Sequence, residues 1–308
     1  MITIITMNPS IDISYFIEDL EIGQVHRCLK YYKTPGGKGI NVAKVCNEIG
    51  ERVNCIGFLG GVNGNIINDQ LKHKKINTNF IKINDNTRQC INIITAKGIS
   101  TEILESGPTI TVSDREKFEN LLETELIKSD ILVASGSLPK GLPENYYRNI
   151  GEKCKEYNVK FILDTSGKFL EYGLNSKPFL IKPNKKELEQ LLKIKINSIE
   201  EVVNGANIVK NMGAKNVAVS LGGDGMIFVG DLGNYLVKIP KINITSTVGC
   251  GDAVVAGLAV GIESKYPIED ILKLANSCGI SNAMYLETGK VDYNIVNKIK
   301  KEIDIIRL

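Results

Sequence analysis

The stretch Val248-Gly249-Cys250-Gly251-Asp252, followed at once by Ala253-Val254-Val255-Ala256-Gly257-Leu258-Ala259, forms a glycine-rich turn that opens into an apolar helix. Glycines let the backbone approach a ligand closely, and the first N–H groups of a helix have no partner inside it, so they attract an anion. Asp252 adds a carboxylate at the mouth of that site. A phosphate held beside a base suits phosphoryl transfer to a hydroxyl, although an Asp N-cap on a buried helix has the same pattern.

The composition is that of a globular protein with a large core. Of its 308 residues, 43% are hydrophobic and 24% are charged, which suits one large α/β domain or two smaller ones. The formal net charge is only +3 and there is no dense basic run. Neither nucleic acid nor a membrane surface is therefore expected as a partner.

Cysteine and histidine usage narrows the possible chemistry. The seven cysteines are scattered without a C-x-x-C pair, and there are only two histidines. We therefore expect reduced thiols in a cytoplasmic protein and disfavour zinc sites and histidine triads. Neither a leader peptide nor a membrane-spanning helix is expected. Carboxylates, lysines, arginines and backbone N–H groups must carry the chemistry.

Short apolar strands alternate with amphipathic helices along most of the chain. This alternation predicts an α/β fold with a doubly wound, mostly parallel sheet and helices on both faces. The predicted strands in this sheet are 2–7, 53–58, 80–83, 131–134, 160–163, 179–182 and 216–220. The predicted helices are 40–49, 63–73, 114–127 with Asp114 as its cap, 144–157, 185–192 and 199–212.

Two segments interrupt this alternation. Residues 12–34 and 88–105 are predicted to form antiparallel strands outside the main sheet, as a small β lid. They include strands at 11–17 and 24–33 and a hairpin of 90–95 with 101–104. The predicted α/β core consists of residues 1–11, 35–87 and 106–308.

Polar or glycine-rich clusters follow the predicted strands. Because ligands of such sheets bind outside the carboxyl ends of the strands, these clusters predict a single site at one rim. The clusters lie at Asn8 and Asp12, after strand 131–134, and at Asp164, Asn184, Gly222 and Gly249.

Two common nucleotide-binding motifs are absent. Gly37-Lys38 and Gly167-Lys168 are followed by glycine and phenylalanine rather than by Ser or Thr, so no P-loop is present. No G-x-G-x-x-G follows the first strand. P-loop NTPases and nicotinamide-dependent enzymes are therefore disfavoured.

Four motifs together resemble those of the ribokinase-like (PfkB) carbohydrate kinases, in the same order. They are GGKGIN at 36–41, KPNKKE at 182–187, SLGGDG at 220–225 and VGCGD at 248–252. The resemblance extends from the first strand to about Leu286 and is strongest to the branch that acts on phosphosugars. It implies a ribokinase-like fold with a sugar site, an ATP site and a β lid.

The resemblance implies separate roles for the side chain of Asp252 and the backbone of the turn before it. Asp252 is similar to the catalytic base that takes the proton from the attacking sugar hydroxyl. The N–H groups of Gly249, Cys250 and Gly251 are similar to an anion hole for the transferring phosphoryl group. Cys250 departs from the commoner alanine, and we interpret it as a small buried side chain.

On the nucleotide side, the resemblance implies that Asn184 and Glu187 hold Mg²⁺ through water and that Lys182 faces the ATP phosphates. The alternative for Asn184 and Glu187 is a helix cap with a surface carboxylate. Other residues are expected in the turn that passes under ATP: Ser220, Gly222, Gly223 and Gly225. Asn276 or Asn282 is expected near the adenine ring of ATP.

On the sugar side, Asp12 resembles the residue that accepts sugar hydroxyls, although it could be a turn aspartate. Gly36, Gly37, Lys38 and Asn41 are expected to form a second helix start that faces the substrate, and Ser137 could touch it.

Arg88 is the most informative residue on this side, since an arginine fork fits a phosphate bidentately. It occupies the lid hinge, where phosphosugar members of the family place their phosphate anchor. Arg27 is a weaker second candidate.

The implied reaction uses ATP and Mg²⁺ to phosphorylate the free primary hydroxyl of a ketohexose monophosphate. Segments 8–15 and 101–108 favour tagatose 6-phosphate, giving the 1,6-bisphosphate; fructose 1-phosphate and fructose 6-phosphate are alternatives. A kinase of an unphosphorylated sugar or nucleoside, or a non-catalytic sugar-phosphate sensor, remains open. The family also implies a homodimer through the lid strands at 12–34 and 88–105, whose exposed edges need covering.

Overall fold

Two β-sheets organise the computed structural model, which describes residues 1–308. The strands are β1 Ile2–Thr6, β2 Ser10–Ile17, β3 Lys30–Gly36, β4 Val53–Gly60, β5 Asn77–Ile83, β6 Arg88–Thr95, β7 Ser100–Leu104, β8 Ile131–Ser135, β9 Lys160–Asp164, β10 Leu180–Ile181, β11 Asn216–Ser220, β12 Met226–Gly230, β13 Gly233–Lys238 and β14 Asp304–Arg307. The helices are α1 Lys38–Glu48, α2 Gly61–His73, α3 Val112–Leu126, α4 Tyr146–Glu156, α5 Gly167–Leu174, α6 Lys185–Leu192, α7 Ile199–Met212, α8 Cys250–Glu263, α9 Ile268–Ala283 and α10 Tyr293–Ile299.

The ten-stranded sheet has the order β14-β13-β12-β11-β10-β9-β8-β1-β4-β5. All neighbours from β11 to β5 are parallel, and β12, β13 and β14 extend one side as antiparallel strands. From β1 the chain first adds β4 and β5 on one side and later β8, β9 and β10 on the other. This reversal beside β1 is the kind of place where ligands bind in open α/β sheets.

Helices cover both faces of this sheet, as the alternation predicts. One face packs 42 buried apolar residues that include Ile40 of α1, Leu258 of α8 and Leu272 of α9. The other face packs 32, including Phe118 of α3 and Tyr147 of α4. The apolar helix α8 is buried between the sheet and α9, which fixes its amino end at the rim.

The four-stranded sheet has the order β3-β2-β6-β7 and stands apart from the larger one. The expectation that all its strands are antiparallel is wrong, because β2 and β6 run parallel, with Asp12 opposite Cys90. Between β2 and β6 the chain forms β3 and then α1 to β5 of the core. It re-enters the small sheet at the end where β2 begins, with Arg88 opposite Ser10. The predicted hairpin is present as β6 and β7.

Some predicted boundaries are also wrong. The predicted strand 24–33 is found instead at Lys30–Gly36, because β2 offers partners only from Phe16 back to Ser10. Helix α3 is capped by Thr111 rather than Asp114: the Thr111 hydroxyl accepts from the Asp114 N–H at 3.1 Å. None of the helices has the length and apolarity that crossing a bilayer requires.

Candidate active site

A cavity of about 410 Å³ lies between the two sheets at the carboxyl ends of the parallel strands. Strands, helix starts and turns from distant parts of the sequence converge on it. The predicted site residues that line it are Asp12, Gly37, Lys38, Asn41, Arg88, Lys182, Asn184, Glu187, Ser220, Gly249, Gly251 and Asp252. The structure therefore brings the four sequence motifs to one cavity.

The turn before α8 presents its backbone to this cavity. Gly249 is the N-cap and has a positive φ of 81°, a conformation that suits glycine. Gly251 leaves room for a cation, since a Cβ there would lie 3.2 Å from Lys182 Nζ. The Cys250 N–H donates to Thr247 O at 3.4 Å, whereas the N–H groups of Gly249 and Gly251 have no partner. Free N–H groups at a helix start, beside an ammonium, form a favourable site for a phosphate.

Asp252 lies in the first turn of α8 and is only 6% exposed. Asn41 fixes its orientation, because the side-chain amide of Asn41 donates to Asp252 Oδ2 at 2.9 Å. Burial raises the pKa of Asp252 to about 6, although the nearby Lys38 ammonium opposes this shift. A carboxylate with a raised pKa at the edge of a cavity is suited to accept a proton near neutral pH.

A buried ion cluster holds two lysines at the base of the cavity. Asp164, at the end of β9, is 1% exposed. Its carboxylate lies 3.3 Å from Lys38 Nζ and 3.4 Å from Lys182 Nζ, and Ser135 Oγ donates to it at 3.1 Å. Burial alone would raise the pKa of Asp164, but Lys182 and Lys38 outweigh this effect and lower it.

Asp164 lies on the predicted rim, but no role follows for it from the sequence. The structure shows that it orients both ammonium groups. Because Asp164 is the main cause of the raised pKa of Lys38, it keeps that lysine positively charged.

The opposite wall comes from the small sheet. Ser10 Oγ donates to Asp12 Oδ1 at 2.7 Å, and burial raises the pKa of Asp12. Gly36 has no space for a side chain, because the Asp12 carboxyl group fills the position of a Cβ. The lack of a side chain at Gly36 therefore makes room for the Asp12 carboxyl group, and Gly36 itself does not line the cavity.

Arg88 begins β6 at the lid hinge and is half-buried. Its Nε donates to Asn8 O at 3.2 Å and its Nη1 donates to Glu105 O at 2.9 Å. These bonds to backbone carbonyls hold the guanidinium at the cavity wall and leave its Nη2 group for a ligand.

An adjoining groove of about 640 Å³ shares Asn184 and Ser220 with the first cavity. Gly222 lines the groove and has a positive φ of 63°. Gly223 lies in the same turn, with open space around its α-carbon, but does not line the groove. Gly225 is buried against the Val237 carbonyl, so its role is to close the turn.

Asn184 and Glu187 form a capping box at the start of α6. The Glu187 N–H donates to Asn184 Oδ1, and the Asn184 N–H donates to Glu187 Oε2, both at 2.8 Å. Asn184 and Glu187 therefore do cap α6, which leaves the expected role in holding Mg²⁺ open. The capping box leaves Glu187 Oε1 without a hydrogen bond, and Glu187 lines the main cavity.

Several predicted residues lie outside both cavities. Ser137 is exposed and contacts Asn8 Nδ2 at 3.4 Å, and Arg27 is exposed on the loop before β3. Cys250 is not among the residues that line the main cavity, and its thiol donates to Ser246 O at 3.7 Å. Cys250 is only half-buried rather than fully buried as expected, and this partial burial raises the pKa of its thiol.

The two asparagines of α9 are buried and already bonded. Asn276 donates to Leu272 O of its own helix at 2.9 Å. Asn282 donates to Val248 O and accepts from the Gly289 N–H, both at 2.9 Å. Neither residue lines the main cavity or the adjoining groove, because α9 packs behind α8 rather than at the rim.

Sequence reasoning missed other residues at the cavity, among them Ser10, Glu102, Ser246 and Thr288. It also missed Lys44, a lysine on the buried face of α1. Its position among Val42, Ala43 and Val45 is a signal that the sequence itself contains.

Comparison with known proteins agrees with this geometry. The signature of the pfkB family carbohydrate kinases matches residues 5–289. The chain belongs to this family. A tagatose-6-phosphate kinase of Staphylococcus epidermidis is 41% identical over 100% of both chains, and a 1-phosphofructokinase of Bacillus subtilis is 35% identical over 100% of both. The structure of Escherichia coli phosphofructokinase-2 superimposes with a TM-score of 0.90, at 26% identity over 98% of each chain.

These findings confirm the ribokinase-like fold and a phosphotransferase that has an alcohol group as acceptor. Family membership also implies ATP as the phosphate donor.

The raised pKa of Asp252 predicts the acid side of the pH profile. We expect kcat/KM to fall about tenfold per pH unit below about pH 6, because a protonated Asp252 cannot accept a proton. An unperturbed aspartate would lose activity only near about pH 4.

The phosphate of a phosphorylated substrate also titrates near about pH 6, so the Lys38→Met variant should be profiled with the same substrate. Removing this cation should move the fall in kcat/KM to higher pH. Identical profiles for the two proteins would contradict the assignment to Asp252.

Proposed function

We propose that this kinase transfers the γ-phosphoryl group of ATP to the free primary hydroxyl of a ketohexose monophosphate. The observation that carries the proposal is the arrangement of one cavity. The turn of N–H groups and the Asp252 carboxylate lie at one wall, and Asp12 and Arg88 lie at the other. One end of a sugar phosphate can thus reach the base while its phosphate reaches the arginine.

Tagatose 6-phosphate, giving tagatose 1,6-bisphosphate, is the substrate that we favour. The full-length relative at 41% identity is a tagatose-6-phosphate kinase. The sequences of segments 8–15 and 101–108 also favour tagatose 6-phosphate as the substrate. Fructose 1-phosphate is the second candidate because of the 1-phosphofructokinase at 35% identity. This assignment suggests a role in lactose/tagatose or fructose metabolism.

In the proposed mechanism, Asp12 accepts a hydrogen bond from a sugar hydroxyl and Arg88 binds the sugar's phosphate. Asp252, oriented by Asn41, takes the proton of the attacking hydroxyl as that oxygen bonds to the γ-phosphorus of ATP. The bond from this phosphorus to the β,γ-bridging oxygen breaks, and ADP leaves. The N–H groups of 249–251 hold the equatorial oxygens of the transferring group. Such preorganised donors contribute about 3–4 kcal/mol each.

The lysines neutralise charge on the donor side. Lys182 approaches Gly251, where it can bind the phosphates, and Asp164 keeps it and Lys38 in place. The adjoining groove at Ser220 and Gly222 then accommodates the rest of ATP, which is the donor that the family implies.

Mg²⁺ fits the oxygens at the start of α6. Mg²⁺ prefers oxygen ligands and retains several waters, and Glu187 Oε1 is free of hydrogen bonds while its partner oxygen is bound in the capping box. Glu187 and Asn184 would hold the ion through water, and the bound ion would neutralise charge on the ATP phosphates.

We also infer a homodimer through the small sheet and a cytoplasmic location. Strand β7 is exposed along its whole length, and the small sheet exposes Tyr31, Tyr32, Ile103 and Leu104. Unpaired edges and apolar side chains of this kind need covering. All seven cysteines are free thiols, which suits a reducing compartment.

The Asp252→Asn variant tests the proposed base. We expect kcat to fall by about 100- to 10,000-fold with little change in KM for ATP, since the amide cannot accept the proton. A coupled ADP-release assay measures both quantities.

The matched control is Cys250→Ala, which keeps the backbone N–H and should retain activity. Near-normal turnover by Asp252→Asn would refute its role, and no ADP release from the wild type with any sugar would favour a non-catalytic sensor.

The Arg88→Ala variant tests the phosphate anchor and therefore the substrate class. With tagatose 6-phosphate, KM should rise by about 10- to 100-fold, since a charge-assisted hydrogen bond contributes about 1.5–3 kcal/mol. The exposed Arg27→Ala is the matched control and should leave KM unchanged.

The assay panel is tagatose 6-phosphate, fructose 1-phosphate, fructose 6-phosphate and ribose. An Arg88→Ala enzyme that melts like the wild type and keeps its KM for the best phosphosugar would contradict the role of this arginine. Faster ADP release with ribose would instead indicate a kinase of plain sugars.

A further inference from the structure

Lys44 is a buried cation that the mechanism above does not use. Only 1% of its side chain is exposed, and its neighbours on α1 are apolar. An ammonium group taken out of water is costly unless it is paired and hydrogen-bonded. Its partners therefore indicate what it stabilises.

Three oxygens surround the ammonium group. Lys44 Nζ donates to the Thr288 carbonyl, lies 3.5 Å from the Pro35 carbonyl, and lies 3.5 Å from Glu287 Oε1. Two of the partners belong to the segment 287–289, which follows α9. Lys44 thus ties this segment to α1.

The segment 287–289 contacts Asn41 on one side and Gly249 on the other. A Cβ on Gly289 would lie 2.9 Å from Asn41 Cα, and a Cβ on Gly249 would lie 3.3 Å from Gly289 N. Asn41 orients Asp252, and Gly249 begins the turn of N–H groups. The segment is therefore wedged between the support of the base and the anion hole.

We propose that Lys44 is a positioning residue for phosphoryl transfer. By holding the Thr288 carbonyl, its ammonium group keeps the segment 287–289 packed between Asn41 and Gly249, so that the base meets the attacking hydroxyl while the N–H donors meet the phosphoryl group that it attacks. This inference rests on the proposed function of the cavity. It predicts that loss of Lys44 impairs turnover rather than binding.

Electrostatics supports this geometry. Burial lowers the pKa of Lys44, and Glu287 is the main group that opposes the shift. Asp12 also favours the charged form, whereas Lys74 disfavours it. The ion pair with Glu287 thus helps to keep the ammonium charged inside the protein.

The Lys44→Met variant tests the proposal, because methionine keeps the bulk and removes the charge. We expect kcat to fall by about 100-fold with KM for ATP within about twofold, since a small displacement of reacting groups has effects of this size. The melting temperature should fall moderately, because the Thr288 and Pro35 carbonyls lose their donor, whereas the partly exposed Glu287 carboxylate can still be hydrated. Turnover is therefore compared well below the melting temperature of the variant.

The conservative variant Lys44→Arg should recover part of the lost kcat, which a purely steric role would not allow. Wild-type kcat in Lys44→Met, or an equal loss in Lys44→Arg and Lys44→Met, would overturn the inference. The wild-type rate with the best sugar is the reference. Absence of that rate would refute the proposed function itself, whereas a normal rate retained by Lys44→Met refutes only the role of Lys44.

Glu287→Gln provides a second test should Lys44→Met fold poorly, since Glu287 is 31% exposed and tolerates the change more easily. Without this carboxylate, Lys44 should lose its proton at lower pH, because Asp12 alone then opposes burial and Lys74. The alkaline fall in kcat should therefore begin at lower pH than in the wild type. An unchanged alkaline profile would contradict the proposal.

Discussion

The burial of the Asp252 carboxylate at the amino end of α8 is the constraint on which the site depends. The apolar sequence of α8 forces the helix into the core, so the carboxylate loses most of its water and its pKa rises to about 6. Asn41 compensates part of this loss with a hydrogen bond. The same placement leaves N–H groups at the start of the helix facing the cavity, so one helix carries both groups that the proposed mechanism uses as base and anion site.

Three buried or half-buried lysines near the site are held by carboxylates other than Asp252. Lys38 and Lys182 both pair with Asp164, while Lys44 pairs with Glu287. Positive charge is therefore available for phosphate groups, and no lysine forms an ion pair with Asp252. This separation keeps the base free to accept a proton while the cavity still attracts anions.

Local patterns explain which parts of the fold and site the sequence predicts. Glycine turns, apolar periodicity and capping residues act over a few positions, so the sheet, α7 and the turn at 248–252 are predictable. Partners distant in sequence are not: the parallel pairing of β2 with β6 and the role of Asp164 both depend on strand order. The burial of Asn276 depends on how α9 packs behind α8, which helix periodicity alone does not specify. Strands β12 and β13 do carry a local signal, two apolar runs around Gly230-Asp231-Leu232-Gly233, although the prediction above does not include them.

The most direct test of the account is a crystal structure with tagatose 6-phosphate, ADP, Mg²⁺ and aluminium fluoride as a mimic of the transferring group. We expect an Asp252 carboxylate oxygen within about 3.2 Å of the attacking hydroxyl and the N–H groups of 249–251 on the fluorides. A hydroxyl that instead lies against another carboxylate, with Asp252 beyond hydrogen-bonding distance, would contradict it.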